Sequence, residues 1–191
     1  MDITQKSSIA QLFGIELSRF DDFLQIAECK QVLKNQLLLT DRDVCNGFGI
    51  ILSGALRTFT VNDAGEEMSY LLQVNGDFFG DYESYITRKK AAFNVQAVID
   101  SEVLVFEKNE LERLIETDLY WLKFAKQMSD IAFLDAKRRL DEFLFHTPEQ
   151  RYLNLLRKSP EIIQKIPQKY ISSYLGITPQ SLSRIRHRIK D

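Results

Sequence analysis

Apolar residues follow two different periods along this chain, and the change of period divides it. Between residues 29 and 107, short apolar runs at 49–53, 56–61, 68–74, 78–79, 93–98 and 103–106 are separated by turn residues. Runs of that length at regular spacing predict β-strands. Asn62-Asp63-Ala64-Gly65 lies between two of them and has the composition of a hairpin turn. Six of the eight glycines fall between Gly47 and Gly80, where tight turns call for positive φ. Together these features predict a compact β barrel or roll over residues 29–107. Ahead of it, residues 9–13 and 17–27 read as short helices.

The second half is helical. Residues 119–144 contain neither Pro nor Gly. Their apolar positions cover more than the single stripe a surface helix needs. Such a helix must bury two faces, and the economical second partner is the same helix of another subunit about a two-fold axis. Trp121, Phe124, Ala125, Met128, Ile131 and Ala132 are the residues expected at that interface. All four prolines lie at or after Pro148. Thr147-Pro148, Ser159-Pro160 and Thr178-Pro179 each place a hydroxyl residue before Pro, which predicts three helix starts with the hydroxyl as cap. Thr147 with Gln150 forms a capping-box pattern. A small all-α domain follows.

Within that domain, fixed offsets from Gln168 point to a helix-turn-helix. Ile171, Leu175, Leu182 and Ile185 fall where two crossing helices face inward, and Ile177 plugs the corner. Ser172 is the small residue at the closest approach. Gly176 ends the first helix in a left-handed conformation, and Thr178 caps the second. The second helix then exposes Gln180, Ser183, Arg184, His187 and Arg188, with Pro179 at its tip. Gln pairs with adenine and Arg with guanine through two hydrogen bonds each. Lys169, Thr178, Ser181, Arg186, His187 and Lys190 are in place to reach phosphates.

Charge sharpens this reading. The chain carries 25 basic and 27 acidic residues. Nine of the basic residues, against Glu161 and Asp191 alone, lie in residues 151–191, a net of +7 that leaves −9 for residues 1–150. One end is therefore built to approach an anion. Other classes drop away. The longest uncharged run, residues 170–183, is fourteen residues with four Ser, too short and too polar to span a membrane. The first residues have no basic-then-apolar leader pattern, so a cytoplasmic chain is expected, with Cys29 and Cys45 reduced. No metal site is expected, because two cysteines cannot supply four thiolates. His146 and His187 both lie outside the strand region, which leaves no catalytic or metal-holding set of the barrel-enzyme kind. The rival reading is a ligand-binding or protein-docking module whose helix-turn-helix does not bind DNA.

On these residues the sequence resembles the Crp/Fnr family of bacterial transcription regulators. Ile50-Ile51-Leu52-Ser53-Gly54-Ala55-Leu56-Arg57 is similar to the family's strand–Gly–strand segment, and Asp77-Phe78-Phe79-Gly80-Asp81 to the start of its phosphate-binding cassette. The resemblance implies an α+β chain in three parts. Residues 1–118 would be a double-stranded, cyclic-nucleotide-binding-like β-roll with flanking helices, 119–145 a long dimerisation helix, and 146–191 a winged-helix-like helix-turn-helix domain. It implies a homodimer on double-stranded DNA, with RNA polymerase as a further partner. By position, base reading falls on Pro179, Gln180 and Arg184, and backbone contact on Gln168, Lys169, Thr178, Ser181 and His187. The effector pocket would be lined by Phe79, Gly80, Asp81, Tyr82, Glu83, Ser84, Ala91 and Ala92. There the sequence departs from the cyclic-nucleotide binders. Asp81 replaces their Glu, and Ala91 and Ala92 stand where an Arg and a hydroxyl residue grip the phosphate. Arg makes a bidentate fork to phosphate and Ala offers nothing, so cAMP or cGMP is not the expected ligand. Arg57 could restore a cationic pocket, but a lone Arg on a strand is more often a surface ion pair, and that is the expectation here.

Overall fold

The computed structural model describes residues 7, 9–11 and 13–190. The chain builds two four-stranded antiparallel sheets from β1 (Ala27–Val32), β2 (Leu37–Leu39), β3 (Gly47–Ser53), β4 (Ala55–Val61), β5 (Glu67–Val74), β6 (Phe78–Phe79), β7 (Asn94–Ala97) and β8 (Ser101–Glu107). The first sheet has the order β1-β8-β3-β6, the second β2-β7-β4-β5. Helix α1 (Leu17–Gln25) precedes the strands and α2 (Tyr82–Thr87) interrupts them. After β8 come α3 (Lys108–Thr117), α4 (Leu119–Phe145), α5 (Pro148–Lys158), α6 (Pro160–Lys165), α7 (Gln168–Leu175) and α8 (Pro179–Lys190).

Three cores stack through the molecule. Between the sheets lie Val32, Ile51, Leu56, Phe79, Val95, Ala97 and Val103. The outer face of the first sheet, with Ile50, Leu104 and Phe106, is covered by Phe20 and Phe23 of α1, Leu114 of α3 and Trp121 of α4. The outer face of the second sheet is covered by the C-terminal helices: Ala55, Leu72, Val74 and Val98 share one core with Tyr152, Leu155, Ile162, Ile166, Ile171, Leu175, Leu182 and Ile185. A sheet covered on both faces has no solvent side to mark with polar residues, which is why residues 49–53 read as a continuous apolar run. Ile50 and Ile51, neighbours pointing in opposite directions, are both buried.

Most expected elements are present, with adjusted ends. The hairpin turn joins β4 to β5, and Asn62 Oδ1 accepts from the amides of Ala64 and Glu66 at 3.0 and 2.9 Å. The helix expected over 17–27 stops at Gln25; Ala27 instead opens β1, paired with Phe106. Residues 9–11 and 13 are helical as expected, and Leu12 lies outside the described residues. The capping box at Thr147 is complete: Thr147 N donates to Gln150 Oε1 at 2.8 Å and Gln150 N donates to Thr147 Oγ1 at 3.3 Å. Ser159 does not cap α6 with its side chain, contrary to expectation. It also closes α5, giving its amide to Leu155 O, with φ −143° and ψ 69°. Among the described residues of 146–190 there is no strand, so the winged-helix-like domain is helical there. No described helix is long and apolar enough to cross a membrane.

Candidate nucleic-acid interface

The offsets that predict the helix-turn-helix carry the contacts expected of them. Ile171, Ser172, Leu175, Leu182 and Ile185 are all buried. Gly176 has φ 68° and ψ 35°, a left-handed residue closing α7, and Ile177 N donates to Ser172 O at 3.0 Å, pairing a carbonyl the helix end leaves unmade. A Cβ at Gly176 would lie 3.0 Å from Phe143 Cε1, so the long helix α4 presses directly on the turn. Thr178 Oγ1 accepts from Ser181 N at 3.2 Å and caps α8.

That cap aims α8. With Leu182 and Ile185 turned into the core, Pro179, Gln180, Ser183, Arg184, His187 and Arg188 are exposed, as are Gln168 and Lys169 at the start of α7. Pro179, Gln180, Ser183 and Arg184 lie at the amino end of α8, where amides without intrahelical partners add partial positive charge. Arg184 reaches back to Ser181 Oγ at 3.5 Å. Arg188 is ion-paired with Glu149 at 3.3 Å, across a groove between α8 and the start of α5 at Thr147 and Pro148. Thr178 and Ser181 share a hydroxyl hydrogen bond of 3.0 Å, so one hydroxyl proton of the pair is engaged within the cap. Arg186 is half-buried, and the side chain of Lys190 lies outside the described residues.

Two arginines that sequence reading assigned no role hold the other end of α7. Arg139 of α4 donates to Tyr174 O and stacks on the Tyr174 ring, its Cζ 3.5 Å from the centroid. Arg151 of α5 donates to Leu175 O at 2.9 Å and to His146 O at 3.0 Å. Cations on the last carbonyls of a helix meet the negative end of its dipole. Burial works against the first of them, pulling the Arg139 guanidinium below its ordinary value and pushing the Tyr174 phenol up. An Arg inside a helical sequence gives no sign of a backbone carbonyl on another helix, so no local pattern announces this contact.

The segment expected to form an effector pocket is brought together, and the side chains of Asp81, Tyr82 and Ser84 are already hydrogen-bonded within the subunit. Asp81 caps α2, accepting from Ser84 N at 2.9 Å through one oxygen and from Ala92 N at 2.8 Å through the other. Ser84 Oγ accepts from Cys45 N at 2.9 Å and donates to Lys89 O. Phe79 and Ala91 are buried, while Tyr82, Glu83 and Ala92 are exposed, and Gly80 has Phe48 2.7 Å from where a Cβ would stand. Tyr82 pairs its hydroxyl with Ser129 of α4 at 3.0 Å. Of the nearby cations, Arg88 donates to Cys45 O and Asn46 Oδ1, and Arg57 points out of the roll, away from the inner core that its neighbour Leu56 joins. These residues do not fit a cyclic phosphate. Among the described residues, no group of three or more His, Cys, Asp or Glu is placed to hold a metal ion.

Two readings need correction. Trp121, expected at a subunit interface, is 1% exposed and stacks on Phe23 with centroids 5.8 Å apart. It belongs to its own subunit's core, because Asp118 caps α4 and turns that side of the first turn onto α1 and β8. Phe124 packs against the same cluster, and Ala125 and Met128 are half-buried, whereas Ile131 and Ala132 are exposed. Arg57 is ion-paired as expected, to Glu67, but it is not on the surface: 1% of it is exposed.

Residues 29–118 match the family described as the cyclic nucleotide-binding domain. The anaerobic regulatory protein of Pasteurella multocida (strain Pm70) is 25% identical over 202 residues, covering 97% of this chain and 73% of that protein. FixK2 from Bradyrhizobium japonicum superposes with a TM-score of 0.74 at 16% identity, covering 86% of this chain and 85% of that one. A chain of the Crp/Fnr family from Eubacterium rectale gives a TM-score of 0.68 at 16% identity, covering 93% and 84%. The chain shares the fold of these two solved structures.

Proposed function

We propose that this chain is a sequence-specific DNA-binding transcription regulator of the Crp/Fnr type, acting in the cytoplasm as a homodimer on an inverted repeat. The observation that carries this is the exposure of Pro179, Gln180, Ser183 and Arg184 at the amino end of a helix whose opposite side, Leu182 and Ile185, is fixed in the core. Arg184 and Gln180 would read base edges. Gln168, Lys169, Thr178, Ser181, Arg186, His187 and Lys190 would meet the phosphates, with Arg188 joining them once Glu149 releases it.

The dimer rests on α4. Leu122, Phe133, Leu140 and Leu144 are 52%, 69%, 58% and 65% exposed. At 3.6 residues per turn they fall on one side of the helix, about a quarter turn or more from Trp121. Four large apolar side chains aligned in water call for a cover, and a second copy of α4 about a two-fold axis supplies one. This seam differs from the one drawn from sequence: Ile131, nine residues from Leu122, lies half a turn round the helix. RNA polymerase is kept as a further partner of such a regulator.

The test is selection of bound sequences from random duplexes by the full chain, with and without cAMP and cGMP. Expected is an inverted repeat with half-sites about one helical turn, roughly 34–36 Å, apart, unchanged by either nucleotide. Affinity should fall by orders of magnitude between about 50 and 200 mM salt. Recovery of no common sequence would overturn the reading in favour of a docking module.

A further inference from the structure

The outer face of the second sheet is where a β-roll standing alone would meet water, yet here it holds a buried guanidinium. Arg57 donates through Nε and Nη2 to Gln96 Oε1 at 2.9 and 2.7 Å, and its Nη1 lies 2.7 Å from Glu67 Oε2. Its Cζ sits 3.9 Å from the ring centroid of Phe59 and 3.9 Å from that of Tyr170. Gln96, Glu67 and Phe59 belong to the roll; Tyr170 belongs to α7, the first helix of the helix-turn-helix. The planar cation is thus fixed edge-on by its own domain and clasped on one face by the other. Three residues along α7, Ser173 Oγ accepts from Ser69 N at 2.9 Å and donates to Glu67 O at 3.3 Å, filling the open edge of β5.

We propose that Arg57 is a positioning residue for DNA reading: its stack on Tyr170 fixes the helix-turn-helix on the roll, and so fixes the separation of the two recognition helices in the dimer. The inference rests on the DNA-binding homodimer proposed above. Gln96, Glu67, Phe59 and Tyr170, the groups that hold Arg57, all lie outside α8. Its effect passes through Tyr170 to α7, then through Gly176 and the shared Leu182–Ile185 core to α8. A cation–π stack has a defined plane and distance, so it holds an orientation more tightly than apolar contact alone. Lys keeps the charge but has neither the plane nor the fork.

The experiment compares the full-length wild type with Arg57→Met, Arg57→Lys and Tyr170→Leu on duplexes carrying the selected half-sites at spacers from two base pairs too short to two too long. A duplex with one half-site is run alongside. Wild type should prefer one spacer at least tenfold over its neighbours. Arg57→Met and Tyr170→Leu should keep single-half-site affinity within threefold and lose spacer preference to below threefold, with Arg57→Lys closer to Met than to wild type. Tyr170→Leu leaves the Arg57–Glu67–Gln96 cluster intact, so it guards against a simple folding defect at Arg57. Retention of a sharp spacer preference by both variants would overturn the proposal. So would a parallel loss on single and paired half-sites, which marks a merely structural residue. If the wild type binds neither kind of duplex, the fault lies in the DNA-binding reading and not in the role of Arg57.

Discussion

The two sides of α4 can be separated by one substitution on each. Phe133 is 69% exposed. Taking about 200 Å² for a Phe side chain, roughly 140 Å² of apolar surface would leave water in a dimer that covered it, about 3.5 kcal/mol at ~25 cal/mol per Å². Truncation to Ala removes roughly two thirds of that, and two-fold symmetry removes it twice, so Phe133→Ala should weaken the dimer by about 4–5 kcal/mol. At about 1.4 kcal/mol per decade the dissociation constant rises on the order of a thousandfold. Sedimentation equilibrium across a concentration series measures this directly. Trp121→Ala is the control, since it empties a site inside one subunit: it should cost about 3–5 kcal/mol of folding stability. It should also leave the dissociation constant of the folded protein unchanged. A change of less than about threefold for Phe133→Ala would refute the assignment of this face, as would monomers produced by a folded Trp121→Ala protein.

Three other outcomes are expected. Gly176→Ala forces a Cβ into a left-handed residue and against Phe143, and should lower the chemical-denaturation midpoint by an amount equivalent to about 1–3 kcal/mol. Arg184→Ala should weaken specific DNA binding by about 1–3 kcal/mol in titrations while relaxing preference at one base position; equal losses on specific and random duplexes would assign it to the backbone. The side-chain hydrogen bond from Arg57 holds the Glu67 carboxyl below its usual range. The stabilisation this represents is therefore present above the ordinary carboxylate pKa and is lost as pH falls through the lowered value. Thermal melts from neutral to acid pH should show a smaller acid-side slope for Glu67→Gln than for wild type.

What the sequence disclosed depended on how local each constraint was. The helix-turn-helix was legible because Ser172, Gly176 and the four inward apolar residues are fixed by one sharp corner within eighteen positions. The roll was legible from its turns. Helix α2 was missed because Asp81 caps it from a stretch otherwise read as pocket lining. The short β1 was missed because a half-exposed strand with few apolar residues gives no run to count, and β2 because three leucines make too short a run to stand out. The place of Trp121 was misjudged for a different reason. With apolar residues all round, the periodicity of α4 does not say which side meets the roll, and that depends on the turn at Asp118. Arg57 was legible only as an unusual residue on a strand. Its neighbours two positions away, Ala55 and Phe59, are both apolar, and that was the available sign that the outward face of β4 is not a solvent face.

The seating of α7 on β5 bears on how such a chain can be cut and recombined. β5 is a terminal strand of its sheet, and an uncovered terminal strand invites pairing with a neighbour. Ser173 occupies that edge, while Ile171 and Leu175 share a core with the Leu72 and Val74 that follow it along the strand. A fragment ending before α5 would bare both the unsatisfied amide of Ser69 and the greasy side of the sheet, so it should aggregate rather than survive as a free-standing sensor. Any replacement helix-turn-helix grafted onto this roll would have to carry its own plug for that strand.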